Sequence, residues 1–256
     1  MSLLREIEGN VLRLTIDRPE KRNAIDEPTM LALTREFAAI DHASPIRAVV
    51  LTGSGDKAFC SGADLGGEAA SFGPQHHKPT TVYADLLRAA ARLPVPLIAR
   101  VQGWCLAGGM GLLAMSDMAV AASTARFGLP EVKVGLFPMQ VAALLQSLIP
   151  RRRFAEMCFT GEPISADEAL SIDLVNYVVE PEELDSKVDW LLARLVDKSP
   201  TAIRLGKHAL RAIADMSVEQ ALAHMEGQVA LIPLTQDAAE GLAAFREKRA
   251  PVWTGK

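Results

Sequence analysis

The stretch that most constrains the fold is residues 101–122, VQGWCLAGGMGLLAMSDMAVAA. An apolar run over 96–101 predicts a strand that leads into a glycine-rich turn, and the turn opens a short apolar helix. Gly108 and Gly109 stand where this helix should begin, and backbone N–H groups at a helix start have no partner inside the helix. Such a place binds phosphate, carboxylate or an oxyanion, and the missing Cβ atoms let a ligand approach the backbone. The stretch therefore predicts an anion site.

Around this stretch, strand and helix patterns alternate. The near-continuous apolar run IRAVVLTG at 46–53 is typical of a strand buried on both faces of a parallel sheet. Further strands are predicted over 10–18, 97–101, 117–122 and 174–179, and helices over 28–41, 80–93, 141–148, 151–159 and 165–172. Ser165 with Glu168 forms a capping-box pattern at the start of the last of these helices.

From residue 181 onward only helices are predicted, over 181–196, 200–214, 217–231 and 237–248. Ser217 with Gln220 and Asp237 with Glu240 mark two of the helix starts as caps. The sequence therefore predicts an α/β core over residues 1–195 and a helical C-terminal region over 196–256, which we expect to pack on the core or on a neighbouring subunit.

Composition excludes several classes of partner. The 256 residues carry a net charge of −4 and no broad basic patch, so we expect no nucleic acid. No apolar run reaches the ~18 residues of a membrane span, and the N-terminus carries charges too early for a secretory signal, so we expect a cytoplasmic protein. The three cysteines are isolated, and adjacent His76 and His77 lie in a polar loop, so no disulfide and no metal site is predicted.

One competing motif lies inside the opening stretch. Residues 109–114, GMGLLA, fit the dinucleotide pattern G-x-G-x-x-A, and Glu131 follows at about the expected distance. However, a longer turn over 103–107 separates the strand from the glycines. Glu131 also lies beyond the next strand instead of ending it. We therefore disfavour nicotinamide binding.

Two other segments suggest chemistry at the anion site. Residues 59–65, FCSGADL, follow a buried strand, and the N–H groups of Ala63 and Gly108 could bracket one oxygen atom as an oxyanion hole. The alternative is two unrelated turns of small residues. No covalent intermediate is expected, because Ser61 lacks the G-x-S-x-G setting and neither Cys60 nor Cys105 has an adjacent histidine or cation.

The third segment is FGLPEVKVG, which contains Glu131. Its apolar surroundings would partly bury the carboxyl group and raise its pKa toward a value suited to proton transfer. The alternative, which the local sequence favours, is a surface glutamate paired with Lys133 or Arg126.

Taken in order, these segments resemble the crotonase (enoyl-CoA hydratase/isomerase) superfamily. The resemblance extends over nearly the whole chain and includes RPEKRNAID, AFCSGADL, GWCLAGGMGLLAMSD, ARFGLPEVKVGLFP, FTGEPISADEALSIDLVNYVV and AAFREKR. It implies an α/β fold in which repeated ββα turns form a superhelical core and the helical C-terminal region assembles trimers, which often pair into hexamers. It also implies an acyl-CoA thioester as substrate, with no permanently bound cofactor. The thioester oxygen and the enolate formed from it would be held by the amides of Ala63 and Gly108.

The resemblance also implies a coenzyme A path, lined partly through backbone atoms. By position its residues would be Arg22, Ala24, Ser61, Asp64 and Leu65. Phe245 and Lys248 match a C-terminal F-x-x-K that approaches the CoA nucleotide, often from a neighbouring subunit. Where the family often has a lysine after its GAD segment, this chain has Gly66 and Gly67.

The departures from the family pattern bear on the reaction. A hydratase with two glutamates would carry one at position 111, where this chain has glycine, and the other at Glu131. Three interpretations follow: a hydratase-like lyase with Glu131 as the proton-transfer residue, a Δ3-Δ2 enoyl-CoA isomerase with Glu131 as its sole base, or a CoA-thioester-binding protein of low activity. Five side chains are candidates for an acyl pocket, although their pattern favours plain core: Trp104, Met110, Leu136, Phe137 and Met139.

Overall fold

The structure is a computed structural model that describes residues 2–64 and 80–256. Its strands in chain order are β1 (Leu3–Glu8), β2 (Val11–Ile16), β3 (Ala48–Gly53), β4 (Ala58–Cys60), β5 (Leu97–Val101), β6 (Trp104–Leu106), β7 (Met118–Ala122), β8 (Arg126–Gly128), β9 (Ile164–Ser165) and β10 (Tyr177–Val179). Its α-helices are α1 (Glu27–Ala38), α2 (Val82–Arg92), α3 (Gly108–Ala114), α4 (Met139–Leu145), α5 (Arg151–Thr160), α6 (Ala166–Ser171), α7 (Leu184–Val196), α8 (Pro200–Ala212), α9 (Val218–Val229) and α10 (Gln236–Glu247). A short 3₁₀ helix over Pro130–Val134 follows β8.

The strands form two sheets. The larger has the order β1-β2-β3-β5-β7-β10, and every neighbouring pair in it is parallel except the antiparallel hairpin β1-β2. The smaller has the order β4-β6-β8-β9, with β4, β6 and β8 parallel and β9 antiparallel to β8.

The chain builds both sheets at once. β3, β5 and β7 each add a strand to the larger sheet, and the strand that follows each of them (β4, β6, β8) adds one to the smaller sheet before the chain continues to a helix. The repeated ββα turn implied by the resemblance is therefore confirmed. As a consequence, the carboxyl ends of β4, β6 and β8 lie side by side at one edge of the smaller sheet.

Apolar burial explains the layers. The parallel strand β3 is buried along almost its whole length, as its unbroken apolar run predicts. One core cluster lies between the larger sheet, the smaller sheet and helices α1 to α6. A second cluster covers the other face of the larger sheet, where Leu184, Val188, Leu191 and Leu192 of α7 pack on it. α7 thus completes the sheet's second face before the last three helices begin.

Some predicted elements differ from the observed ones. The N-terminal strand β1 was not predicted, and β6 lies inside the segment 103–107 that was interpreted as a turn. Asp237 does not cap α10, because the hydroxyl of Thr235 accepts the hydrogen bond from the N–H of Ala238 at the helix start. By contrast, the capping boxes that begin α6 and α9 are both confirmed. Within residues 2–64 and 80–256, every helix is too short or too polar to cross a bilayer.

Candidate active site

The backbone N–H of Ala63 points away from Ile25, the residue with which Ala63 forms an isolated β-bridge. Ile25 donates its N–H to the carbonyl of Gly62 at 2.8 Å and accepts from the N–H of Asp64 at 3.0 Å. Since the backbone groups of an extended segment alternate sides, the N–H of Ala63, between them, points to the opposite side. No backbone acceptor for it is found within the described ranges. This amide is therefore free to bind an oxygen atom.

Gly108 supplies the second amide, at the first residue of α3. Its N–H has no partner in the helix, as expected at a helix start. A methyl group placed on Gly108 would lie 3.6 Å from the nitrogen of Ala63, and one placed on Gly62 would lie 3.2 Å from the nitrogen of Gly108. The two amides that the sequence analysis paired are thus close together. Gly62 and Gly108, which lie between them, have no side chains that would fill the space.

The backbone around the two amides is held in unusual conformations. Gly62 has φ of 101°, a region that side chains rarely allow. Ala107, just before Gly108, has φ of 50° and ψ of −120°, although it carries a Cβ atom. A hydrogen bond from its N–H to the carbonyl of Gly128 in β8, at 3.0 Å, helps to hold it there. Such strain is concentrated at functional sites.

Glu131 lies beside these amides because of the sheet topology. Ala63, Gly108 and Glu131 follow β4, β6 and β8 respectively, and these three strands are parallel neighbours. In α/β folds, the carboxyl ends of parallel strands are where ligands bind. The structure therefore gathers the three predicted catalytic residues at one edge of the smaller sheet.

The carboxyl group of Glu131 is half-buried and incompletely satisfied. Its Oε2 atom is buried and has no hydrogen-bond partner among the described residues. Burial raises the pKa of Glu131, and the hydrogen bond from its own backbone N–H only partly opposes that shift. An unpartnered buried carboxyl oxygen is costly, and such groups are candidates for proton transfer.

The alternative that Glu131 is a surface glutamate in an ion pair is not supported. Lys133 instead pairs with Glu162 at 2.8 Å, and the guanidinium of Arg126 donates to the carbonyl of Ala125 at 2.8 Å. Both cations that the local sequence offered are thus engaged elsewhere.

The glycines of the apparent dinucleotide motif are occupied by internal packing. A methyl group on Gly109 would lie 2.2 Å from the carbonyl oxygen of Cys60, so the first turn of α3 rests directly on β4. A methyl group on Gly111 would lie 2.0 Å from the hydroxyl of Tyr83. These glycines allow close contacts within the protein, which accounts for the motif without a dinucleotide.

The cysteines are free and buried. Cys60 and Cys105 are nevertheless neighbours, because they pair in register between β4 and β6. Burial raises the pKa of Cys60 to about 12 and that of Cys158 to about 11, and it also raises the pKa of Cys105. These thiols stay protonated at neutral pH and are poor nucleophiles. In the part of the chain that the structure describes, no three His, Cys, Asp or Glu side chains are arranged to hold a metal ion.

The predicted CoA residues of the first half lie together. Ser61 donates its N–H to the carbonyl of Arg22 at 3.1 Å, which joins the loop over 18–26 to the segment 61–64. The exposed Arg22 lines a cleft of about 350 Å³. Ala24 is buried, and its carbonyl accepts from Arg18 at 2.5 Å, so at most one lone pair of that oxygen remains for a ligand.

Asp64 has a scaffolding contact. Its carboxylate accepts from the guanidinium of Arg18 and from the ammonium of Lys21, both at 2.7 Å. These ion pairs are a second connection between the loop over 18–26 and the segment 61–64. Leu65, Gly66, Gly67, His76 and His77 lie outside the described residues.

Phe245 and Lys248 lie at the end of α10. Phe245 is 84% exposed, and Lys248 adopts φ of 55° as the helix C-cap. Among the described residues, no hydrogen bond or ion pair links either of them to Ala63, Gly108 or Glu131.

Of the five candidates for the acyl pocket, only Met110 is core. The others are exposed in the single chain, Met139 most of all at 73%, and the rings of Phe137 and Phe159 lie 6.3 Å apart between centroids. The expectation that most of these side chains are plain core is therefore wrong. An exposed apolar run right after Glu131 leaves them available to an acyl chain or to another surface.

The sequence analysis did not identify three residues that shape the site: Ala107, Asn23 and Tyr83. Ala107 is strained only because its neighbours in β8 and at Gly62 hold it. Asn23 is fully buried and donates to the carbonyls of Ser54 and Ala58 at 2.9 and 2.6 Å, which shapes the loop over 18–26. Tyr83 reads locally as one apolar position of an amphipathic helix, yet its hydroxyl donates to the carbonyl of Gly108 at 2.6 Å.

Comparisons with known proteins agree with this arrangement. The family model described as enoyl-CoA hydratase/isomerase matches residues 6–256. A carnitinyl-CoA dehydratase of Salmonella typhi is 38% identical, over 97% of this chain and 96% of that protein. The crystal structure of an enoyl-CoA hydratase of Mycobacterium smegmatis superposes with a TM-score of 0.90 at 37% identity, and 99% of each chain is covered. That of an enoyl-CoA hydratase of Bacillus anthracis gives 0.90 at 28% identity over both entire chains. The chain therefore belongs to the enoyl-CoA hydratase/isomerase family of enzymes, the crotonase superfamily that its motifs resemble.

Proposed function

We propose that this protein is an enoyl-CoA hydratase-like lyase in which Glu131 moves the proton. The observation that carries the proposal is the buried, unpartnered Oε2 atom of Glu131, placed at the same sheet edge as the amides of Ala63 and Gly108. A carboxyl group with a raised pKa exchanges a proton near neutral pH more readily than an ordinary glutamate. The substrate class comes from the family, since its members act on CoA thioesters.

The proposed reaction uses one carboxylate twice. As the oxygen of water bonds to C3 of a 2-enoyl-CoA, the carboxylate of Glu131 accepts a proton from that water. The electron pair of the C2–C3 double bond moves to the thioester oxygen, where the two backbone amides stabilise the enolate. The enolate then takes the proton back from Glu131 at C2. Run in reverse, the same steps remove water from a 3-hydroxyacyl-CoA.

A second candidate is a Δ3-Δ2 enoyl-CoA isomerase. Gly111 favours it, because it supplies no second carboxyl group and has no room for one beside Tyr83. In this reaction Glu131 would take a proton from C2 of a 3-enoyl-CoA and return it to C4. The amides would stabilise the dienolate in between.

Coenzyme A would lie along the loop over 18–26 and the segment 61–64. Arg22 is exposed there, and Ser61 and Asp64 join the two segments. The exposed Phe245 and the helix-end Lys248 would reach the nucleotide of a neighbouring subunit in a trimer. No permanently bound cofactor is required.

The decisive experiment compares three substrates. The protein is incubated with a 2-enoyl-CoA, a 3-enoyl-CoA and carnitinyl-CoA, the last because of the curated relatives, and mass spectrometry follows the gain or loss of water. Water gain or loss supports the lyase. A change in conjugated absorbance without a mass change supports the isomerase. Saturable binding without turnover of any substrate supports a CoA-thioester-binding protein.

The variant Glu131→Gln tests the proton carrier. We expect kcat to fall by about 10²- to 10⁴-fold, because a general acid–base group typically contributes that much. Binding of butanoyl-CoA should survive, because the amides are unchanged. Glu162→Gln is the matched control, since this nearby glutamate is exposed and pairs only with Lys133. Near-full activity of Glu131→Gln would show that another group moves the proton.

A further inference from the structure

The hydroxyl group of Tyr83 lies in the middle of the site, although Tyr83 belongs to α2. The side chain is only 2% exposed, and its hydroxyl donates to the carbonyl oxygen of Gly108 at 2.6 Å. The start of α2 is fixed from two sides: the hydroxyl of Thr81 caps the helix by accepting from Ala84, and it also accepts from Gln140 of α4 at 2.6 Å. Tyr83 thus reaches Gly108 from a firmly held helix.

Gly111 and Tyr83 fit each other. A methyl group on Gly111 would lie 2.0 Å from the hydroxyl oxygen of Tyr83, 3.1 Å from its Cζ atom and 3.3 Å from Cγ2 of Val141. Nearly all of the conflict comes from one oxygen atom. Any side chain at position 111 must therefore displace the Tyr83 hydroxyl, and displacement breaks its hydrogen bond to Gly108.

We propose that Tyr83 is a positioning residue of the oxyanion hole and that its hydroxyl is matched to the absence of a side chain at Gly111. The inference rests on the proposed function. The hydroxyl anchors Gly108, whose own N–H binds the thioester oxygen, and it occupies the room that a second catalytic carboxyl group would need. The enzyme is thereby committed to the single carboxyl group of Glu131.

Physical reasons make this anchor necessary. α3 is only seven residues long and begins after the strained Ala107, so its first turn has little intrinsic stability. A misplacement of about 1 Å in a catalytic constellation can cost on the order of 10²-fold in rate. Tyr83 is not itself the base, because burial, reinforced by Cys60, Cys105 and Glu131, raises the pKa of its hydroxyl well above the ordinary value. It remains a neutral donor throughout turnover.

The first test removes only the hydroxyl oxygen. In Tyr83→Phe we expect kcat to fall about 10- to 100-fold, with KM changed less than about 3-fold, because the transition state depends on the geometry of the amide more than the ground state does. Infrared spectra of bound butanoyl-CoA with an isotope-labelled thioester carbonyl should show a smaller downward shift than in the wild type. Tyr177→Phe is the matched control, because Tyr177 packs on Trp190 of α7, at the other face of the larger sheet.

The second test measures the match to Gly111. Gly111→Ala should lower the midpoint of thermal unfolding strongly in the wild type. It should lower the midpoint much less in the Tyr83→Phe background, where the nearest ring atom becomes Cζ at 3.1 Å, a contact that a shift of a few tenths of an ångström relieves. If Gly111→Ala alone does not fold, recovery of the folded protein in the double variant shows the same coupling.

The outcomes separate the two proposals. If the wild type is active and Tyr83→Phe has the same kcat and the same carbonyl frequency, the positioning role of Tyr83 is wrong, but the proposed function stands. Equal effects of Gly111→Ala in both backgrounds overturn the match. A wild type that neither binds butanoyl-CoA nor turns over an acyl-CoA contradicts the proposed function, and the positioning role falls with it.

Discussion

Glu131 holds its carboxyl group where ionisation is unfavourable. In the unfolded chain the group titrates near its ordinary pKa of 4.5, whereas burial raises the pKa in the folded state. Below both pKa values the group is neutral in the folded and in the unfolded state, so its ionisation does not contribute to the stability. As the pH rises from the unfolded toward the folded pKa, the unfolded chain ionises first, so the folded state is progressively disfavoured. The buried carboxyl group of Glu131 thus lowers the stability of the folded protein at neutral pH.

This reasoning predicts a pH-dependent gain in stability. Glu131→Gln should raise the midpoint of thermal unfolding at about pH 7 to 8, and most of the gain should disappear at about pH 4, where the glutamate is mostly neutral in both states. Differential scanning calorimetry across this range measures both values. A gain of the same size at low pH would mean that packing, not charge, is the cause.

Gly62 is a residue at which a substitution would disturb the backbone of the proposed oxyanion hole. It has φ of 101°, and an added methyl group would lie 2.7 Å from the Cβ atom of Ala107. Gly62→Ala should therefore destabilise the protein by more than the ~1–3 kcal/mol of backbone strain alone and remove most of the activity. Chemical denaturation and an activity assay measure the two effects.

The matched control is Gly9→Ala in the turn between β1 and β2. Gly9 also has a positive φ, of 57°, but an added methyl group meets no atom within 4 Å. Its loss should be about 1 kcal/mol, from strain alone, with activity retained. Equal losses at the two glycines would contradict the importance of the contact with Ala107.

At the scale of elements, Asp237 at the start of α10 joins the C-terminal tail to α8. It is almost completely buried and accepts from the N–H groups of Thr254 and Gly255 at 2.8 and 3.0 Å and from the hydroxyl of Ser199 at 2.9 Å. Burial alone would raise its pKa, but these donors together lower it to about 2. Asp237 is therefore an internal connector, which explains why it does not cap its helix.

Replacement of this connector has a definite pH dependence. Asp237→Asn should lower the free energy of unfolding by about 1–3 kcal/mol at neutral pH, because charge-assisted hydrogen bonds are lost. The lowered pKa contributes stability above the ordinary pKa of 3.8, and that contribution is lost as the pH falls toward about 2. Urea denaturation at about pH 7 and 3 should show the variant approaching the wild type in acid. The exposed Asp215→Asn is the control; a deficit independent of pH would contradict the role of the charge.

Elements with a strong local pattern were predictable from the sequence, whereas the six-residue β1 and the shortest strands were not. The apolar run of β3 and the two capping boxes were predicted because each depends only on residues close together in the sequence. β4, β6 and β8 have three residues each, too few to show a period, and they are strands only because they pair with one another. The proposed catalytic residues Ala63, Gly108 and Glu131 come from the family resemblance. Tyr83 was missed because its contact joins residues 25 positions apart.

For the whole molecule, the single chain leaves large apolar side chains exposed on its last helices. Phe245 is 84% exposed, Leu234 80% and Val218 78%. Exposed apolar groups in such numbers are typical of an interface. Together with the resemblance, they support the proposal that residues 196–256 assemble trimers or hexamers.

The assembly is testable by mass. Sedimentation equilibrium should give about three or six times the chain mass of 27.5 kDa. Leu234→Glu should shift the protein toward smaller species, because a charge replaces an exposed apolar group. Leu31→Glu, on α1, serves as the control at a partly exposed leucine elsewhere. A monomeric wild type would refute assembly through the C-terminal helices.

The position of the two amides after neighbouring strands has an evolutionary consequence. Adjacent strands lie about 4.8 Å apart, which is close to the separation at which two donors share one oxygen atom at about 2.9 Å each. The proposed binding of a thioester thus depends on the spacing of β4 and β6, and most exchanges of one side chain for another leave that spacing intact. The proposed proton carrier, by contrast, is a single side chain that one codon change removes. A lineage with this architecture has a short mutational route from catalyst to acyl-CoA carrier, with every intermediate folded and able to bind.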